Sequence, residues 1–193
     1  MSKINITIEN VHAAYKVADE NGKKLLKALF NEEEPKIQTL DDYTTIRTYE
    51  DACEALGEEP MNIEVLTSSG VPPHIIALMK LETISRALWG KTFQPEPDAS
   101  GDKIYYWVWS ALYTQAEIDR MDEDDRGALL AGSSGSGAIA GFGFLNTNSR
   151  SSYSYASLGF RLCQETSEKA KYFGRTFTRL WAEYHMFNFT VEL

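Results

Sequence analysis

The stretch that most constrains this chain is residues 103–109, where Tyr105, Tyr106, Trp107 and Trp109 crowd around Ile104 and Val108. Aromatic and β-branched residues fit a pleated, half-buried surface, so the stretch predicts a strand. Such a strand needs cover, and helical patterns lie on both sides of it. Upstream, Pro72-Pro73 opens a helix with Ile75, Ile76, Met79, Ile84 and Leu88 on one face, stopped by Gly90. Downstream, residues 167–187 carry the amphipathic stripe Ala170, Phe173, Phe177, Leu180, Trp181 and Tyr184. The expected class is α+β. It is a small antiparallel sheet of about three strands, packed by N-terminal helices and a long C-terminal helix. The expected organisation is one domain over residues 1–193, with 1–90 mainly helical and 103–193 holding the strands and the last helix.

Local signals fill in the rest. Val11, Ala14, Tyr15 and Ala18 share a helical face that Thr7 would cap, and Asn21-Gly22 reads as its left-handed stop. A second short helix is expected over 23–30, then a solvated acidic linker over 32–42. Thr48-Tyr49-Glu50-Asp51 opens a helix that ends at Gly57, with Ala52, Cys53 and Leu56 inward. Thr114-Gln115-Ala116-Glu117 is a capping box that starts an acidic helix reaching Asp125. Residues 132–141 read as a Gly/Ser loop before the run Phe142-Gly143-Phe144-Leu145, and 153–162 alternate well enough for a third strand.

Composition removes whole classes of function. The 193 residues include 23 aromatics, enough for a real core. The net charge of −9 opposes phosphate neutralisation over the whole surface, so general nucleic-acid binding is not expected. No apolar run of about 18 residues exists to span a membrane. Met1-Ser2-Lys3-Ile4-Asn5 lacks an apolar signal core, so export by that route is not expected. Cys53 and Cys163 each sit in an apolar pattern and read as buried free thiols. His12, His74 and His185 stand apart, without the paired spacing of a zinc site.

Three motif fragments fall short of their chemistry. Gly132 and Gly137 have phosphate-loop spacing, but Ala138 and Ile139 stand where Lys and Ser/Thr belong. The run Asp122-x-Asp124-x-x-Gly127 starts like a calcium loop, yet Ser133 occupies the place of the bidentate Glu. No G-x-S-x-G elbow accompanies the many serines. The expectation is a non-enzyme with no cofactor, no metal site and no catalytic residues. The rival enzyme reading would use the acids of 117–125 around a divalent metal. Charge is uneven: residues 117–126 carry net −4, and 150–181 carry net +4.

Several segments resemble an uncharacterised family of small proteins found in gut-bacterial genomes, their mobile elements and their phages. The resemblance rests on Gly159-Phe160-Arg161-Leu162-Cys163 and on Ala170-x-Tyr172-Phe173-Gly174-Arg175-x-Phe177-x-x-Leu180-Trp181. It extends to Tyr49-Glu50-Asp51-Ala52-Cys53-Glu54-Ala55-Leu56-Gly57, to Tyr105-Tyr106-Trp107, and to Ala14-Tyr15 with Gly22-Lys23-Lys24-Leu25-Leu26-Lys27-Ala28-Leu29-Phe30. Phe160 and Gln164 depart from the family's usual serine and aromatic. Trp109-Ser110 followed by residues 159–163 also resembles the closing strands of C-type-lectin-like domains, from which the helix after Cys163 departs.

The resemblance implies a phage or mobile-element protein acting in the bacterial host cytoplasm or in a virion. The leading expectation is a non-catalytic binding protein in a counter-defence or accessory role. Its contact surface would comprise Gly135, Gly137, Asn146, Asn148, Arg150, Tyr153 and Tyr155, a backbone-rich loop beside cations and aromatics. The ligand would be a small anion such as a signalling nucleotide, or a host or phage protein. The alternative is a capsid- or tail-associated subunit of a virion, and a homo-oligomer is compatible with either.

Overall fold

The computed structural model describes residues 11, 14, 15, 17–30, 38–96, 100–126, 129–134, 138–151, 160–186 and 189–191. The chain divides into two compact units, residues 1–37 and 38–193. In the first unit, helix α1 spans Glu20–Phe30. The Asp19 carboxylate accepts the Gly22 N–H at 2.8 Å and so caps the start of this helix. Asn21-Gly22 therefore lies inside a helix and does not end one, because the capping carboxylate precedes it. Thr7 and residues 32–37 of the expected linker lie outside the described residues.

The second unit begins with a 3₁₀ turn, Tyr43–Thr45, capped by Asp42. Helix α2, Tyr49–Leu56, is bounded as its sequence predicts. Thr48 Oγ1 accepts the Asp51 N–H at 3.0 Å, Asp51 Oδ2 accepts the Thr48 N–H at 2.9 Å, and Gly57 leaves with φ of 69°. Helix α3, Ile63–Ser68, has no buried residue, which is why no apolar stripe announced it. Helix α4, Pro73–Trp89, runs from its proline to Gly90. Leu81, Ile84, Ala87 and Leu88 are fully buried, whereas Ile75, expected inward, lies on the exposed side.

Strand β1, Ile104–Tyr113, is longer than the aromatic run that predicted it. The acidic segment after it forms two single turns, α5 Gln115–Ile118 and α6 Glu123–Arg126, in place of one helix. Strand β2, Leu129–Ser134, takes Gly132-Ser133-Ser134 out of the expected loop. Strand β3, Gly141–Ser151, absorbs the polar run that began at Asn146. Ladder pairing satisfies these backbones whatever the side chains, so poor strand formers are carried by their neighbours.

Of the expected third strand, 152–159 lie outside the described residues. Phe160-Arg161-Leu162 form a bend and turn. They lead to Gln164, which pairs with Tyr106 through N–H···O bonds of 2.8 and 2.9 Å.

The long C-terminal helix is two: α7 Ser167–Thr176 and α8 Thr178–His185, with Phe177 at φ −111° and ψ 27° between them. Before that break α7 lies on β1 and β3, and after it α8 packs chiefly against α4. Strand β4, Phe189–Val191, completes a four-stranded antiparallel sheet in the order β1–β3–β2–β4 among the described residues. Helix α7 sits close on this sheet at Gly174, where an added Cβ would come within 2.9 Å of Val108 Cγ1 and would strike the Phe144 ring. Ile46, Leu81, Ile84, Leu88, Phe142, Phe173, Phe177 and Trp181 form the main core. Each large apolar side chain buried there contributes about 1.5–3 kcal/mol. A second cluster gathers Trp89, Tyr105, Trp107 and Cys163 under Phe93 and Phe160.

Candidate functional site

The β1–β3 ladder organises the candidate surface. Its register sets Tyr105 opposite Arg150, Trp107 opposite Asn148 and Trp109 opposite Asn146. Strand alternation puts these six positions on one face of the sheet. Tyr106 and Val108 belong to the other face, against which α7 packs. Of the residues expected to bind, Asn146, Asn148 and Arg150 occupy alternate positions of β3. Gly135, Gly137, Tyr153 and Tyr155 lie outside the described residues.

Cover over this outer face is uneven. Phe160 reaches Tyr105 and Trp107, with ring centroids 6.0 and 6.5 Å apart, and Trp89 stands 5.4 Å from Tyr105. Tyr105 and Trp107 are accordingly only 7% and 8% exposed, while Trp109, the next residue along the same face, is 48% exposed. A register shift falls at Trp109/Ser110, because Trp109 faces Asn146 and Ser110 faces Phe144, leaving Leu145 as the extra residue of a bulge. Leu145 is half exposed, and Asn146 is exposed beside it. Bulges re-aim side chains, and here one sits where the buried aromatic row becomes an open one.

Beyond the bulge lies a shallow depression of about 180 Å³, lined by Tyr113, Met121, Asp125, Leu129, Gly143, Phe144 and Leu145. Burial, reinforced by the Asp125 and Glu117 carboxylates, holds the Tyr113 hydroxyl above its ordinary pKa. Trp109, Leu145 and Tyr113 belong to no expected site, and Asp125 belongs only to the rival metal reading of residues 117–125. In the sequence Trp109 continues the same row as Tyr105 and Trp107, and only the limited reach of Phe160 separates it from them.

The groups that suggested chemistry have structural employment. Asp122 Oδ1 accepts the Asp125 N–H at 2.8 Å and caps α6, the role its calcium-like spacing obscured. Arg126 donates to the carbonyls of Asp119 at 3.0 Å and Ile118 at 3.3 Å, pinning α5 to α6. Arg175 donates to the Asp124 carbonyl, so one member of the basic segment meets the acidic one within a single chain. The buried Cys163 thiol is pushed up to about 12 by desolvation and donates to the Phe160 carbonyl. A thiol so rarely ionised is a poor nucleophile. His185 stacks on Trp181 at 5.5 Å, and burial lowers its pKa.

Among the described residues, no group of three or more His, Cys, Asp or Glu side chains is placed to hold a metal ion. No helix among them is long and apolar enough to cross a membrane. In comparisons with known proteins, no family model, no curated protein and no solved structure matches the chain.

Proposed function

We propose that the chain is a non-catalytic binding protein that docks a partner protein on the outer face of its sheet, around Trp109. The observation that supports this is the single displayed aromatic in a row otherwise buried. Trp109 is 48% exposed at a bulge, flanked by Leu145 and Asn146. A tryptophan presented among smaller apolar and amide groups has the chemistry of an interface anchor. The resemblance to proteins of phages and mobile elements makes a protein of the bacterial host the partner class proposed here.

The small-anion version has less behind it. The depression lined by Tyr113 and Leu145 is about 180 Å³, below the roughly 300–1,000 Å³ of ordinary small-molecule sites. Its acidic wall, Asp125, also repels an anion. The virion-subunit reading draws on the opposed charge segments, and the contact of Arg175 with α6 inside one chain weakens that motive.

The test is a photoreactive residue installed at position 109, with a control at the exposed Glu64, irradiated in the producing bacterial cell. The expected result is a discrete adduct from 109 that is absent from 64, and a thermal midpoint that a panel of signalling nucleotides leaves unchanged. No adduct specific to 109, or a nucleotide that raises the midpoint by several degrees, would overturn the reading.

A further inference from the structure

Gln164 is a polar residue with no exposure, and two elements hold it at once. Its backbone N–H and C=O pair with Tyr106 of β1, at 2.8 and 2.9 Å. Its side-chain Nε2–H donates to α4, to the Ser85 hydroxyl at 2.9 Å and the Ser85 carbonyl at 3.3 Å. That carbonyl can only accept, which fixes the amide atom that faces α4. Ser85 is equally buried, and its hydroxyl lies 3.5 Å from the Cys163 carbonyl. The remaining amide atom, Gln164 Oε1, is buried and finds no hydrogen-bond partner among the described residues. An unsatisfied buried acceptor carries a desolvation cost that an apolar side chain of the same shape avoids. The pair is therefore a weak source of stability, and what such a pair can supply is position.

We infer that Ser85 and Gln164 are positioning residues, a buried pair that seats the two rings covering the aromatic row and so sets where its open end begins. One covering ring is Trp89, a single helical turn beyond Ser85 on α4 and 5.4 Å from Tyr105. The other is Phe160, four residues before Gln164, at 6.0 Å from Tyr105 and 6.5 Å from Trp107. Residues 160–162 between are a bend and turn, and Cys163 Sγ donates back to the Phe160 carbonyl at 3.0 Å. The turn thus hangs from its Gln164 end. There its backbone holds β1 by one isolated bridge, and the amide adds the only printed side-chain bonds from Gln164 to α4. Tying α4 to this turn keeps both rings over Tyr105 and Trp107 and leaves Trp109 beyond their reach. The inference rests on the docking surface proposed above for its use, and it names what bounds that surface.

The experiment replaces both partners by apolar side chains of similar shape, Ser85→Ala with Gln164→Met, in the full chain carrying Trp109→Phe. Acrylamide quenching of the remaining tryptophans is followed in buffer, well below the denaturant transition. Phe160→Ala in the same background supplies the signal of an uncovered Trp107. The expected result is a folded double variant in which one of the three remaining tryptophans, Trp107, becomes readily quenched, as it does in Phe160→Ala. A merely structural pair would move the midpoint and leave quenching of the folded chain as it was. That outcome in the double variant, or in Ser85→Ala alone if the double variant does not fold, would overturn the inference. Quenching reads the cover itself and needs no partner, so its outcome is independent of cross-linking at position 109.

Discussion

Gly174 shows how one residue fixes the distance between layers. It lies in α7 with its Cα facing the sheet, and a methyl group there would crowd Val108 Cγ1 at 2.9 Å and the Phe144 ring. An alanine in a helix normally gains up to about 1 kcal/mol over glycine, but forcing a methyl into a packed core costs about 1–3 kcal/mol. The cost wins where the obstacle is a packed ring on a strand. Gly174→Ala should therefore lower stability by about 1–2 kcal/mol, read from denaturant midpoints. An equal or raised midpoint would mean that α7 stands further from the sheet. Sequence alone shows a glycine at the edge of the apolar stripe, four residues after Ala170, and cannot name the side chains it meets.

At the scale of elements, the parts legible in the sequence were those whose boundaries are set locally. Thr48 with Asp51 and Gly57 frame α2, and Pro73 and Gly90 frame α4, because caps act on backbone groups a few residues away. The parts not legible depend on distant partners. Strand β2 contains Gly132-Ser133-Ser134, which become a strand only because β4 pairs with them, and Asn146 to Ser151 become one because β1 does. The break at Phe177 is hidden for a similar reason. The apolar stripe runs through it unbroken, and the second half packs against α4 as well as the sheet.

Trp181, on the far side of that break, holds α8 to the core through Phe173, its ring centroid 5.0 Å away and its Nε1–H bonded to the Phe173 carbonyl at 3.3 Å. Trp181→Ala should cost roughly 3–5 kcal/mol, enough to unfold a marginal domain. An unchanged melting temperature would show that α8 is not packed on the core.

At the scale of the whole molecule, the sheet has a helix-covered face and an outer face that the described residues close only in part. Of the candidate surface, the alternation of Asn146, Asn148 and Arg150 along one strand is legible in the sequence, but the side chain that distinguishes the surface is Trp109. Its exposure follows from where Phe160 and Trp89 stop covering the row, a consequence of tertiary packing. The chain has four tryptophans, of which Trp89, Trp107 and Trp181 are 6%, 8% and 3% exposed against 48% for Trp109. Acrylamide quenching of tryptophan fluorescence, at concentrations where the chain is monomeric, therefore tests the central claim most directly. The prediction is a readily quenched component in the wild type that disappears in Trp109→Phe, leaving three shielded rings. Quenching that is unchanged by Trp109→Phe would contradict an open outer face at that position.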